Sequence, residues 1–190
     1  MEKVFKNHLV SYLESCGLMN ENQHGFRAKR SMFSQLVQHV EEILLRLEDG
    51  ANVDVIYLDR ARAFDKVDHS VLLAHLKSLG VSGNMGIWIH QFLTGRKQFV
   101  SVGNEKSNTS DIISGVPQGT VLGPVLFLVL LTSIDANVSS FTSSFADYTK
   151  LVGAIPTALD AQGFQRDLDS VYDWANKWNM SFNGDKFQLL

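Results

Sequence analysis

Apolar and polar positions alternate along this chain in patterns that predict a mixed fold. From Ser31 to Glu48, Phe33, Leu36, Val37, Val40, Leu44 and Leu47 recur at helical spacing on one face, with Ser31 as N-cap and Gly50 as the stop. Val53 to Leu58 is short and rich in β-branched residues without clean alternation, which predicts a central strand covered on both faces. A helix is predicted from His69 to Leu79 between Asp68 as cap and Gly80, and a shorter one from Ile87 to Leu93, closed by Gly95. Gln98 to Val102 and Thr109 to Ile113 flank Gly103-Asn104-Glu105-Lys106 and read as a hairpin. A buried helix follows Gln118-Gly119 through the apolar run Val121 to Leu131. A second hairpin spans Phe141 to Val152 with Ala146-Asp147-Tyr148 at its tip. Leu159 to Trp178 is amphipathic, with Phe164, Leu168, Val171, Ala175 and Trp178 on one stripe, and a last strand begins near Lys186. Together these elements predict an α+β layer, helices packed on one face of an antiparallel sheet.

Composition narrows the function classes. The 190 residues are 45% hydrophobic and 19% charged, ordinary values for one globular domain. A formal charge of −3 argues against tight nucleic-acid binding by the chain on its own, because neutralising phosphates takes a basic face. The basic clusters are small: Arg27, Lys29 and Arg30, then Arg96-Lys97. A single cysteine, Cys16, excludes an internal disulfide and a cysteine zinc site. The N-terminus has no apolar leader and the longest apolar run is too short for a bilayer. The expected place is therefore intracellular, cytoplasmic or nuclear, not secreted and not in a membrane.

Three motifs carry the chemistry. Tyr57-Leu-Asp59-Arg-Ala-Arg-Ala-Phe64-Asp65-Lys-Val-Asp68-His69, Ser114-Gly-Val-Pro-Gln118-Gly119-Thr-Val-Leu-Gly-Pro124 and Phe145-Ala-Asp147 follow one another at spacings that resemble the palm of a non-LTR (LINE-like) reverse transcriptase. Gln23-His-Gly-Phe-Arg27, Thr94-Gly-Arg96 and Trp174…Trp178…Asn183-x-x-Lys186 extend the resemblance over nearly the whole chain. Taken singly, Asp59 and Asp147 read more readily as turn or cap residues than as metal ligands, and it is the neighbouring motifs that overturn that reading. No phosphate-binding Gly-x-x-x-x-Gly-Lys loop offers a rival chemistry.

The resemblance implies RNA-directed DNA polymerase activity: an RNA template, a DNA primer, deoxynucleotides, and two magnesium (or manganese) ions held by Asp59 and Asp147. It implies that Phe64 lies under the incoming sugar and excludes a 2′-hydroxyl, and that Gln118 and Gly119 line the nucleotide and template pocket. Arg27 with Lys29 or Arg30 is implied as a triphosphate contact, and Lys186 as the acid for the leaving pyrophosphate. Phe64 also reads as a core aromatic, Lys186 as a surface lysine, and Asp68 as a helix cap. Residues 51–69 and 116–190 would be palm, and 1–50 and 70–115 partial fingers. No thumb is expected after Leu190.

Three departures from the pattern predict weakness. Tyr148 stands where the family carries a second aspartate, and a phenol is a neutral donor at physiological pH. Arg60 stands where the family usually has an apolar or aromatic residue, and is expected to reach solvent or find an acidic partner. Leu131-Thr-Ser-Ile-Asp135 drifts from an Asn-Asp-Leu pattern. The expectation is a strongly impaired or inactive polymerase with weakened ion binding and weak nucleic-acid affinity. The alternative is a non-enzymatic relic, or a module co-opted to bind RNA or protein.

Overall fold

The structure, a computed structural model, describes residues 1–186 and 188–189. Helix α1 (Glu2–Ser15) opens the chain; it buries Leu9 and Leu13. Helix α2 (Met32–Glu48) begins at the predicted cap. Ser31 Oγ accepts from the Ser34 N–H while Ser34 Oγ accepts from the Ser31 N–H, a reciprocal capping box. Strand β1 (Val53–Asp59) leads to α3 (His69–Ser78), capped by Asp68, whose carboxylate accepts from the Ser70 and Val71 N–H groups. Helix α4 (Gly83–Leu93) begins earlier than predicted. The predicted hairpin after it breaks into two short exposed ladders, β2 (Lys97–Gln98) with β5 (Ser110–Asp111) and β3 (Ser101–Val102) with β4 (Glu105–Lys106). Glu105 and Lys106 are thus paired rather than part of the turn.

Helix α5 (Gly123–Leu130) carries Pro124 in its first turn and is almost wholly buried. Strands β6 (Phe141–Phe145) and β7 (Tyr148–Ala154) form the second hairpin, and α6 (Ala158–Lys177) buries Phe164, Val171, Trp174 and Ala175 as its stripe requires. Strand β8 (Gln188–Leu189) follows a 3-10 turn that contains Lys186; positions 187 and 190 of the predicted last strand lie outside the described residues.

The main sheet runs β6-β7-β1-β8, antiparallel at every step. Ile56, Leu58 and Leu151 face the principal core, which α1, α3, α4, α5 and α6 complete. Gly153 permits the close approach of α6, because a Cβ there would meet the Phe164 ring at 2.5 Å. Residues 22–24 run along the free edge of β6: the His24 N–H donates to Ser144 O and the Ser144 N–H donates to Asn22 O. That added segment pairs an edge that would otherwise be open. No helix among the described residues is long and apolar enough to cross a membrane.

Helix α2 lies on the opposite face of the sheet, and its orientation reverses the usual logic of amphipathic helices. Tyr57, Lys150 and Ser143 line up across β1, β7 and β6 and present a polar row. The buried residues of α2 are accordingly Gln35, which donates to Ser143 Oγ at 2.8 Å, and His39, whose Nε2 is 3.4 Å from Tyr57 Oη. The apolar stripe turns outward: Phe33 is 75% exposed, and Val37, Val40, Leu44 and Leu47 are exposed with it. The periodicity correctly marks a helix, but its apolar face is not the one that contacts the sheet.

Burial favours the neutral form of three histidines. It lowers the pKa of His39 from 6.5 to about 4, with help from the nearby Lys150 charge, and lowers those of His24 and His75 as well. A lowered folded pKa means the unfolded chain takes up protons first on acidification. This contribution to stability is complete above pH 6.5 and is lost as pH falls toward about 4. The urea midpoint should therefore drop between pH 7.5 and 5, and His39→Gln should drop less. Equal losses in both chains would remove His39 from the account.

Candidate active site

The site forms where β1 ends beside the β6–β7 turn. Antiparallel register sets Asp59 opposite Tyr148, the first residue of β7, so Asp147 in the turn is brought to the end of β1. Phe64 follows β1 in the next loop. Its ring stacks on Phe127 of α5 with centroids 4.5 Å apart and meets Phe26 edge-on at 5.9 Å. The segment after β5 is pinned along that loop: the Gly115 N–H donates to Val67 O, the Val116 N–H to Phe64 O, and Ser114 Oγ to Asp65 O. Gly115 has φ +88 and lies so near Asp65 that a Cβ would be 2.9 Å from its carbonyl oxygen, so glycine is required there. Gln118 is thereby carried to Asp65 and donates to its carboxylate at 2.8 Å.

Asp59, Arg60, Phe64, Gln118, Asp147, Tyr148 and Lys186 all line one cavity of about 310 Å³. Asp59 is nearly buried and forms an ion pair with Lys186 Nζ at 2.9 Å. The same ammonium donates to Tyr148 Oη at 3.5 Å and sits 5.9 Å from its ring. The hydrogen bond to Asp59, then the bond to Tyr148 and the Asp59 charge, hold the Lys186 ammonium above its ordinary pKa.

Arg60 does not reach solvent, and among the described residues it forms no salt bridge, contrary to expectation. It is 2% exposed; its guanidinium donates to Asp147 O at 2.6 Å and to Thr149 Oγ1 at 2.9 Å, and lies over the rings of Trp174 and Phe182. Burial pulls its pKa down to about 10, opposed by the Asp147 and Asp59 charges, so it remains a cation at neutral pH. A second brace holds the turn from outside. Gln23 Oε1 accepts from the Ala146 N–H at 2.9 Å, and Gln23 Nε2 donates to Ala146 O at 3.1 Å. Ala146 has φ +54, and a Cβ on Gly25 would be 2.3 Å from its nitrogen. The motif around Gln23 thus clamps the turn that carries Asp147. Only the motif itself hinted at Gln23, and nothing local marked Arg60 as the inner brace.

Comparison with known proteins fixes the family. The description "Reverse transcriptase (RNA-dependent DNA polymerase)" matches residues 1–190. The chain belongs to the reverse transcriptase family. It is 31% identical over 196 residues to the RNA-directed DNA polymerase from mobile element jockey of Drosophila melanogaster, covering 98% of this chain and 21% of that protein. It is 30% identical over 191 residues to the probable RNA-directed DNA polymerase from transposon X-element of the same species, covering 97% and 21%. This reverse transcriptase is of the retrotransposon type, and it spans about a fifth of the length of those relatives. Among solved structures, a telomerase from Candida albicans in complex with a fragment of telomeric RNA aligns with TM-score 0.70 at 11% identity, over 100% of this chain and 34% of that one. An apo telomerase from Candida tropicalis aligns with TM-score 0.69 at 11% identity, over 99% and 39%. The antiparallel sheet is a polymerase palm.

The remaining predicted residues of this reverse transcriptase lie apart from the cavity. Arg27 is engaged with Glu14 and Glu21 at 4.0 and 3.8 Å and donates to Asn20 O; Arg30 pairs with Glu21 at 2.6 Å. Lys29 is exposed with φ +61, and Gly119 has φ +75 with open space around it. Asp135, in the drifted segment, accepts from Asn20, Asn22 and Thr142, which fixes the strand edge rather than the cavity.

Reverse transcriptases use divalent metal ions. The cavity is lined by the carboxylates of Asp59, Asp147 and Asp65, the last engaged by Gln118, and by the Tyr148 phenol; among the described residues, no three His, Cys, Asp or Glu converge on one ion position. That set fits a cation that completes its shell with water and substrate oxygens, as magnesium does, and not a cation caged by protein alone.

Proposed function

We propose that the chain is the template-directed polymerase core of a retrotransposon reverse transcriptase, copying RNA into DNA with magnesium at Asp59 and Asp147. The observation that carries this reading is one cavity lined by both carboxylates, Phe64 and Gln118. Asp59 and Asp147 would hold the ions, which would supply charge neutralisation for the phosphates and the primer 3′-oxygen during nucleotidyl transfer. Phe64, wedged between Phe127 and Phe26, offers a rigid ring to the sugar face of an incoming deoxynucleotide. Gln118, held by Asp65, borders the same space. Residues 51–69 and 116–190 make the palm, and 1–50 and 70–115 contribute partial fingers. Template and primer are the nucleic-acid partners. Arg27 and Arg30 reach a triphosphate only if Glu14 and Glu21 release them.

Tyr148 supplies a neutral oxygen where the resemblance calls for an anion, so ion binding and turnover are impaired in this reading. The test uses the Tyr148→Asp chain with an RNA template, DNA primer and deoxynucleotides. Incorporation should require magnesium and should vanish when Asp147→Asn is added. Incorporation that survives Asp147→Asn would overturn the assignment of Asp147.

A further inference from the structure

We propose that Lys186 is the resident counter-ion of Asp59, and that a divalent cation binds Asp59 only by displacing the Lys186 ammonium. This inference rests on the reading of Asp59 as a metal ligand. A carboxylate as buried as Asp59 is costly to leave without compensation. Lys186 Nζ, at 2.9 Å, provides that compensation and spans the cavity mouth to Tyr148 Oη. A cation seated on Asp59 at that separation would be repelled by the ammonium, so the two cannot occupy the carboxylate together.

Two of the cations that line the cavity, Arg60 and Lys186, engage Asp147 through its backbone and Asp59 through its carboxylate, and they differ in freedom. Arg60 is locked by two hydrogen bonds and two aromatic rings. The Lys186 side chain is 56% exposed on a flexible stem, so it can leave at little cost. The Asp59 charge is therefore compensated before any metal arrives. While clamped on Asp59, Lys186 is also not positioned on a leaving pyrophosphate, so the ion that displaces it would free the lysine for another contact.

Manganese titrations read by electron paramagnetic resonance test this without relying on turnover. Lys186→Met keeps the apolar stem and removes the charge; it should bind manganese about 5-fold more tightly than the native chain, the scale of an exposed ion pair. Lys186→Arg should stay near the native affinity, and adding Asp59→Asn to Lys186→Met should erase the gain. If Lys186→Met binds no better than native while Asp59→Asn binds worse, the counter-ion role is overturned and the metal site stands. If none of the chains binds manganese saturably, both fall.

Discussion

Tyr148→Asp should raise the rate of primer extension on an RNA template in magnesium by on the order of 10²–10³. The figure corresponds to restoring one electrostatic stabiliser at a reacting centre, worth about 3–4 kcal/mol. The position suits the change. Tyr148 is paired in register with Asp59, is 46% exposed, and turns its ring and hydroxyl toward Lys186. An aspartate there removes little packing and adds an anionic oxygen beside Asp59 and Asp147. Tyr148→Asn, similar in size but neutral, should gain almost nothing. Native activity equal to that of the aspartate variant would show that the second turn carboxylate is unnecessary. Silence from both, with circular dichroism showing folded chains, would favour a binding role without chemistry.

The sequence reading and the structure agree where the information is local and part where it is not. Caps at Ser31 and Asp68, the buried α5 and the α6 stripe depend on neighbours within a few residues, and each stands where the pattern puts it. The orientation of α2 could not be read this way. It depends on Tyr57, Lys150 and Ser143 falling into one row, which is a matter of register between strands far apart in the chain. Helix α1 shows only two fully buried apolar positions, too few for a clear periodic signal. The motifs place Asp59, Phe64, Gln118, Asp147 and Lys186 around one cavity, yet no motif foretells that Lys186 would rest on Asp59. Arg27 and Arg30 read as free basic residues because Glu14 and Glu21 are recognisable as their partners only once the chain has folded.

Arg60→Ala should cost about 3 kcal/mol of stability, a large share of what a domain this size possesses. Truncating a fully buried side chain leaves a cavity, and it strips Asp147 O of the Arg60 donor. Thr149 Oγ1 loses the guanidinium as well but retains Ser144 Oγ at 2.9 Å. Two effects offset part of this cost. The charge is held against a desolvation penalty that depresses its pKa, and Nε has no hydrogen-bond partner among the described residues. Arg60→Met, which fills the space without a charge, should therefore lose only about 1 kcal/mol. Urea unfolding followed by circular dichroism would separate the two substitutions. Similar losses in both would mean the guanidinium hydrogen bonds, and not packing, dominate. The distinction bears on function because Arg60 fixes Asp147 through its backbone. A methionine chain that is stable but loses the manganese affinity of the native one would mark Arg60 as a positioning residue for the turn. Unchanged affinity would leave that task to Gln23, whose paired bonds to Ala146 hold the same turn from the other side.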